Sequence, residues 1–134
     1  MVTVFDVEPN KLIEKAAERL KDKVEKPAFV GLVKTGAHLE RPPANENFWY
    51  MRCASILRQA YVKGAVGTQR LRRHYGGRKR RGVRPERHMP AGGSTIRKAM
   101  QELEKAGYLV KDKKGRMLSP KGRQFMDKVA KESA

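Results

Sequence analysis

Apolar residues recur at three- and four-residue spacing from Pro9 onward. Ile13, Ala16, Ala17, Leu20 and Val24 fall on one face, which predicts a helix. Pro9 suits its first turn, because a fixed φ near −65° is already helical. The opposite face, with Lys11, Glu14, Lys15, Glu18, Lys21 and Asp22, mixes both signs. This is the pattern of a helix that packs on one side and meets water on the other. Pro27 ends it. Ala28-Phe29-Val30 with Leu32-Val33 reads as a short apolar stretch of about one helical turn. Glu40-Arg41-Pro42-Pro43 reads as an extended link, since a residue before proline avoids the helical region.

A second long helix is predicted from a cap at Asn45 or Asn47 to about Lys63. Trp49, Cys53, Ile56, Leu57, Ala60 and Tyr61 form its apolar stripe, with Arg52 and Gln59 flanking and Met51, Ser55, Arg58 and Val62 opposite. Gly64 and Gly67 bracket a turn. Thr68 is expected to cap a short helix, Gln69 to Tyr75, with Leu71 and Tyr75 inward and Arg70, Arg72 and Arg73 outward. Residues 76–93 show neither period and are expected to be an irregular Arg/Gly loop, of a length that inside a domain is functional or mobile. Ser94 or Thr95 then caps a helix over 94–106 with Ile96, Ala99, Met100 and Leu103 inward. Tyr108-Leu109-Val110 and Arg116-Met117-Leu118 read as strands around an Asp112–Gly115 turn. Ser119 caps the last helix, Pro120 opens it, and Phe125, Met126, Val129 and Ala130 form its inner stripe.

Helix, short helix, helix and hairpin is the order of a winged helix. The expected fold is therefore mainly α: a winged-helix-like helical domain over residues 1–134 with one small β-hairpin. Lys111, Lys113, Lys114 and Arg116 would make the wing basic.

Composition changes the picture through charge. Among 134 residues there are 31 Lys and Arg against 14 Asp and Glu, a net charge of +17. The excess is local. Residues 1–40 are neutral overall, residues 41–100 carry +13 and residues 101–134 carry +4. From Arg70 to His88 nine basic residues stand against one acid, Glu86. A solvated face interleaves both signs; a one-signed stretch between two helices of the same fold points to a polyanion-binding surface. Arginine dominates it, and guanidinium forks grip phosphate at two points and stack flat on bases. Phe48-Trp49-Tyr50 and His74-Tyr75 lie beside these arginines. Helical spacing favours core roles for Trp49 and Tyr61, and leaves Phe48, Tyr50 and Tyr75 open between core and base stacking.

Other chemistry finds no support. A single cysteine, Cys53, permits no internal disulfide, and its place on the core stripe reads as a buried thiol. His38, His74 and His88 have no metal-ligand spacing, so neither metal nor cofactor is expected. The basic half has only Glu46 and Glu86, too few and too separate for a metal-dependent nuclease, and no catalytic residue is assigned. Met1 to Asp6 lacks a secretory n-region, and no apolar run approaches a membrane span. A cytoplasmic, non-enzymatic nucleic-acid binder without membrane contact is the expectation.

The predicted 94–106 helix exposes Arg97 and Lys98 but turns acidic at Glu102 and Glu104, a poor groove-reading face. The strongest charge lies outside it, as suits the irregular shape and phosphates of folded RNA. Charge alone marks Arg70, Arg72, Arg73, Lys79, Arg80 and Arg81, with Arg84 and Arg87, as RNA-binding. The alternative function is a winged-helix DNA-binding transcription regulator, which would dimerise. A third is an adaptor that uses the apolar 28–33 and 48–50 surfaces.

Asn45-Glu46-Asn47-Phe48-Trp49-Tyr50 followed by Arg52-Cys53-Ala54-Ser55 resembles the core of the small-subunit ribosomal protein S19e family of archaea and eukaryotes. So do Tyr75-Gly76-Gly77-Arg78, Gly82-Val83 with Pro85, Arg97 with Gln101, Leu103 and Glu104, and Leu118-Ser119-Pro120-Lys121-Gly122. The similarity runs over nearly the whole chain. It departs at Phe48-Trp49-Tyr50, where eukaryotic relatives read Trp-Phe-Tyr, and at Met100, where they carry a smaller aliphatic residue. The resemblance implies a winged-helix-like protein in the head of the small ribosomal subunit. Such a protein would be monomeric when free, bind 16S-type ribosomal RNA beside neighbouring ribosomal proteins, and assist subunit maturation and assembly. It implies RNA contacts at Arg52, Arg58, Lys63, Tyr75, Arg78 and Arg97, with its neighbour Lys98.

Overall fold

Helix α1, Pro9–Leu20, follows a single 3₁₀ turn at Val4–Asp6 and opens with proline in its first turn, as predicted. A computed structural model describes residues 2–29, 32–43 and 47–133. The buried stripe of α1 is Leu12, Ala16, Ala17 and Leu20, with Ile13 at its margin. Ala16, Ala17, Leu20 and Val24 are buried as the pattern placed them, Leu12 takes the inward position expected of Ile13, and the helix ends at Leu20, before Pro27. In the 28–33 stretch the amides of Leu32 and Val33 both donate to Phe29 O, at 3.0 and 3.3 Å, the bonding of the single helical turn expected there; Val30 and Gly31 lie outside the described residues.

Helix α2, Phe48–Lys63, starts after Asn47; the other proposed cap, Asn45, lies outside the described residues, as does Glu46. It is the central helix. Trp49, Cys53, Ala54, Ile56, Leu57, Ala60 and Tyr61 are buried, and so is Gln59. Gly64, at φ 83°, ends it by donating its amide to Ala60 O at 3.0 Å. Helix α3, Thr68–Tyr75, is capped by Gly67 instead of Thr68 and buries Leu71. Helix α4, Gly93–Lys105, starts after Gly92 instead of Ser94 or Thr95; Thr95 is buried in its first turn and unavailable as an exposed cap.

Strands β1, Gly77–Arg81, and β2, Arg84–Met89, form an antiparallel hairpin where the sequence predicted an irregular loop. The reason for the difference is physical. Both faces of this hairpin are charged, so no apolar alternation marks it. Its Gly82-Val83 turn has Gly82 at φ 70°, which a two-residue hairpin loop needs at its first position. The described residues thus hold two hairpins, not one.

The second hairpin, β3 Leu109–Asp112 and β4 Gly115–Leu118, is the predicted wing, paired from Leu109↔Leu118 to Asp112↔Gly115. Val66 adds a third, one-residue strand: its amide donates to Arg116 O at 2.9 Å, and its carbonyl accepts the Arg116 amide at 2.8 Å. Gly115 is required where these backbones meet. Its φ is 130°, and a Cβ there would stand 2.6 Å from Val66 O.

Helix α5, Pro120–Ser133, buries Gly122, Met126, Val129 and Ala130. Ser119 caps it as predicted: its Oγ accepts the Gly122 amide at 3.0 Å and donates to Gly107 O at 2.6 Å. Ser119→Ala should therefore lower unfolding free energy by about 1–2 kcal/mol, read from urea denaturation. An ion pair of Arg19 with Glu132 joins α1 to α5, and Tyr61 donates to Asp127 at 2.7 Å to join α2 to α5. The core is one cluster shared by all five helices, Val66 and the base of the wing.

Candidate nucleic-acid interface

On helix α2, Arg52 flanks the buried stripe and is half-buried, Arg58 lies on the opposite face and is half-buried, and Lys63 is exposed at the C-terminal end. The Arg52 guanidinium lies 3.9 Å from the centre of the Tyr75 ring and 5.1 Å from that of Phe48. Tyr75 is held in turn by a 2.6 Å hydrogen bond with Ser55. Burial pushes the Tyr75 phenol up and disfavours the Arg52 charge, although a guanidinium stays protonated at any ordinary pH. No carboxylate among the described residues pairs with Arg52. Arg58 keeps its buried Nε without a hydrogen-bond partner. Two desolvated cations without counter-ions are costly to maintain. Phe48 and Tyr75, left open in the sequence reading, thus have a structural partner in Arg52.

Helix α3 packs against α4, and its last residue, Tyr75, reaches back to Ser55 and Arg52 of α2. Lys63 of α2 and Gln69, Arg70, Arg73 and His74 of α3 line an open cleft of about 550 Å³. Arg72 faces the other way. Its Nε donates to Ala91 O at 2.8 Å, and its own carbonyl accepts the Ala91 amide at 2.8 Å. Arg72 therefore clamps the root of the β1–β2 hairpin to α3. Gly76 sits in the same junction, where a Cβ would stand 2.3 Å from Met89 O. From the other side the 32–43 segment pairs through Gly36 with Ala91, and His38 lies against Gly36 and Gly77. The hairpin is thus gripped at its base and free at its tip.

Two cross-strand pairs in the hairpin are cations facing cations, Lys79 with Arg87 and Arg81 with Arg84, and Arg78 stands opposite His88. Arg81 donates to Pro85 O at 3.0 Å across the turn. The one acid, Glu86, reaches Arg78 at 3.7 Å, with that arginine side chain 80% exposed. Like charges directly opposite each other destabilise a sheet. The tip residue Val83 is fully exposed.

Arg97 and Lys98 are exposed on α4 and make no hydrogen bond or ion pair among the described residues. Lys111, Lys113 and Lys114 stand exposed on the wing. Arg116 does not join them: its Nε donates to Glu104 at 3.0 Å, and it ties β4 to α4. Trp49 is fully buried and meets Phe29 edge-on at 6.5 Å, so it is a core residue. Tyr61 is buried as well. Cys53 is buried and its thiol is pushed far up by that burial, which leaves it unreactive. Among the described residues no group of His, Cys, Asp and Glu could hold a metal ion, and no helix is long and apolar enough to cross a membrane.

The sequence reading missed Gln69 in the α2–α3 cleft and His38 at the hairpin root, and it placed His74 on the short helix beside the arginines without assigning it to the cleft. His74 was legible in part, since it lies four residues past Arg70 on the polar side of a short helix. His38 had no signal, because its neighbours Gly36, Gly77 and Ala91 come together only in the fold.

Comparison with known proteins follows the same span. Residues 3–134 match the family described as Ribosomal protein S19e. The chain is 44% identical to Small ribosomal subunit protein eS19 of Aeropyrum pernix over 137 aligned residues, covering 98% of this chain and 90% of that protein. It is 41% identical to the protein of the same name from Haloarcula marismortui, with 97% and 90% covered. It is also 41% identical to Small ribosomal subunit protein eS19A of Schizosaccharomyces pombe, with 96% and 92% covered.

Proposed function

The chain belongs to the ribosomal protein S19e family, a structural and non-enzymatic component of the small ribosomal subunit, and from that premise we propose that it binds ribosomal RNA through its arginine-dense surface and assists maturation and assembly of the subunit. Family membership decides against the transcription-regulator alternative. Residues 1–134 act as one RNA-binding domain, monomeric when free, in the cytoplasm and on the ribosome.

The observation that carries this reading is the lack of counter-charge. Of the cations from Arg52 to Lys98 assigned to RNA, only Arg78 has a carboxylate within ion-pair distance among the described residues, and that pair is exposed at 3.7 Å. Exposed pairs contribute little. A surface that leaves its cations unneutralised holds them for an external anion. Arg52 and Tyr75 supply a flat stack that a base can extend. Arg58, Lys63, Arg70 and Arg73 face phosphates beside the α2–α3 junction, and Lys79, Arg80, Arg81, Arg84 and Arg87 with Arg78 do so along the hairpin. Arg97 and Lys98 supply a further contact on α4. Arg72 is placed to orient the hairpin more than to touch RNA.

The test is binding to a small-subunit ribosomal RNA transcript across a salt series, together with sedimentation in cell extract. Six or more neutralised phosphates predict an affinity loss of about a thousandfold between 50 and 200 mM salt. The chain should sediment with small subunits. Failure to bind the transcript at 50 mM salt, or a chain found free of subunits there, would sink the reading.

A further inference from the structure

We propose that the cleft between the C-terminal end of α2 and helix α3 binds an RNA backbone phosphate, and that His74 takes up a proton as it does so. The proposal rests on the ribosomal RNA reading and goes further, by naming a site and a proton coupling within it.

Three observations meet here. The cleft is lined by Lys63, Gln69, Arg70, Arg73 and His74, with no acid among them. Its cations have no ion-pair partner among the described residues; Arg70 makes only a long contact, 3.5 Å, to Ala65 O. Gln69 is held in place by Arg72, which donates to its side-chain oxygen at 3.3 Å. His74 is the one group in the cleft whose charge can change near neutral pH.

The surroundings of His74 all oppose its charge. Helix α2 contributes Lys63, Arg52 and Arg58, and α3 contributes Arg70 and Arg73 at the same cleft. Tyr75 meets the imidazole edge-on at 4.8 Å. Partial desolvation first, and then Lys63, Arg52 and Arg58, hold the imidazole below its ordinary value of 6.5. In the free protein at pH 7 His74 is therefore neutral. A phosphate in the cleft reverses the local field. Its negative charge favours imidazolium, which donates an N–H to a phosphate oxygen.

The sign of the linkage follows. The bound state has the higher His74 pKa, so binding takes up a proton. Affinity is then flat above the bound pKa, rises as pH falls through the interval, and levels off below the free pKa. The chain holds two other histidines, His38 and His88, so substitution at position 74 is needed to isolate the effect. His74→Gln keeps a hydrogen-bonding side chain without the charge, and His74→Lys fixes the charge at all pH values. The residue is exposed, so both variants should fold.

Binding of a small-subunit ribosomal RNA transcript is measured by fluorescence anisotropy at constant ionic strength from pH 8 to pH 5.5. Wild type should tighten by about five- to tenfold over this range, since binding raises the His74 pKa and takes up a proton. His74→Gln should lose most of that tightening, whatever its affinity at pH 8. His74→Lys should bind at pH 8 as wild type binds at pH 5.5, with little slope. A His74→Gln protein that keeps the full pH slope overturns the proposal, as does a wild type with no slope, and either result leaves the RNA reading standing. Wild type that fails to bind at any pH at low salt overturns both.

Discussion

Reversing Arg78, Lys79, Arg80 and Arg81 to Glu should weaken binding to small-subunit ribosomal RNA by on the order of a thousandfold or more while thermal unfolding stays within a few degrees of wild type. The binding loss follows from exchanging phosphate contacts for phosphate repulsion at four neighbouring positions, each contact to a charged group being worth about 1.5 kcal/mol or more. The small effect on stability follows from the strand register. Lys79 faces Arg87 and Arg81 faces Arg84, so Glu at 79 and 81 turns two like-charge pairs into opposite-charge pairs. Against this, Arg81 loses its bond to Pro85 O, and Glu at 78 meets Glu86 where an exposed pair stood. These terms are each small and of opposite sign. The hairpin contributes nothing to the buried core from positions 77–89, so its charge can be rewritten without touching the packing that sets the melting temperature. A fall of ten degrees or more would show that these residues hold the fold. Unaltered RNA affinity would remove the hairpin from the interface.

The same hairpin shows where sequence reading works and where it stops. Apolar periodicity is written by burial, and it located α2 almost to the residue because Trp49, Cys53, Ile56, Leu57 and Ala60 all turn inward. It predicted the wing because Leu109 packs beneath it and Gly115 marks its turn. It could not find β1 and β2, whose side chains are charged on both faces and add nothing to the core. The cationic run was legible as chemistry while its backbone was not. Capping failed at α3 and α4 for a related reason. Gly67 and Gly92 are the last residues of tight junctions, and Gly92 donates its amide to Thr35 O, a partner far away in sequence. Arg116 was counted with the free basic wing because its partner, Glu104, is on another element. The individual cations of the candidate site were identifiable by type. Their grouping around His74 depends on the turn that brings α3 back beside Lys63, Arg58 and Arg52 of α2, which no local pattern encodes.

Gly122→Val should be the most damaging single substitution on the wing side of the fold. The position lies in the first turn of α5 and is buried against the start of β3. A Cβ there would stand 2.3 Å from Tyr108 O and 2.9 Å from a Leu118 methyl. Helix propensity pulls the other way, since Gly is about 1 kcal/mol worse than Ala inside a helix. Steric overlap decides the outcome, because the obstacle is a backbone carbonyl with no room to yield. Tyr108 O accepts the Ser119 amide at 3.0 Å, and Ser119 in turn caps α5 through the Gly122 amide. Moving the carbonyl breaks the cap, and moving α5 strains the Tyr61–Asp127 and Arg19–Glu132 links. Overpacking of this kind costs about 3 kcal/mol or more when backbone must shift. For a chain of this size that corresponds to a fall of about ten degrees in melting temperature. Gly122→Ala should lose about half as much. Leu118→Ala should not rescue either variant, because it removes the methyl contact and leaves the carbonyl in place. Matched urea midpoints for Gly122→Ala and wild type would mean that α5 can slide freely, and the locked junction between the wing and α5 described above would be wrong.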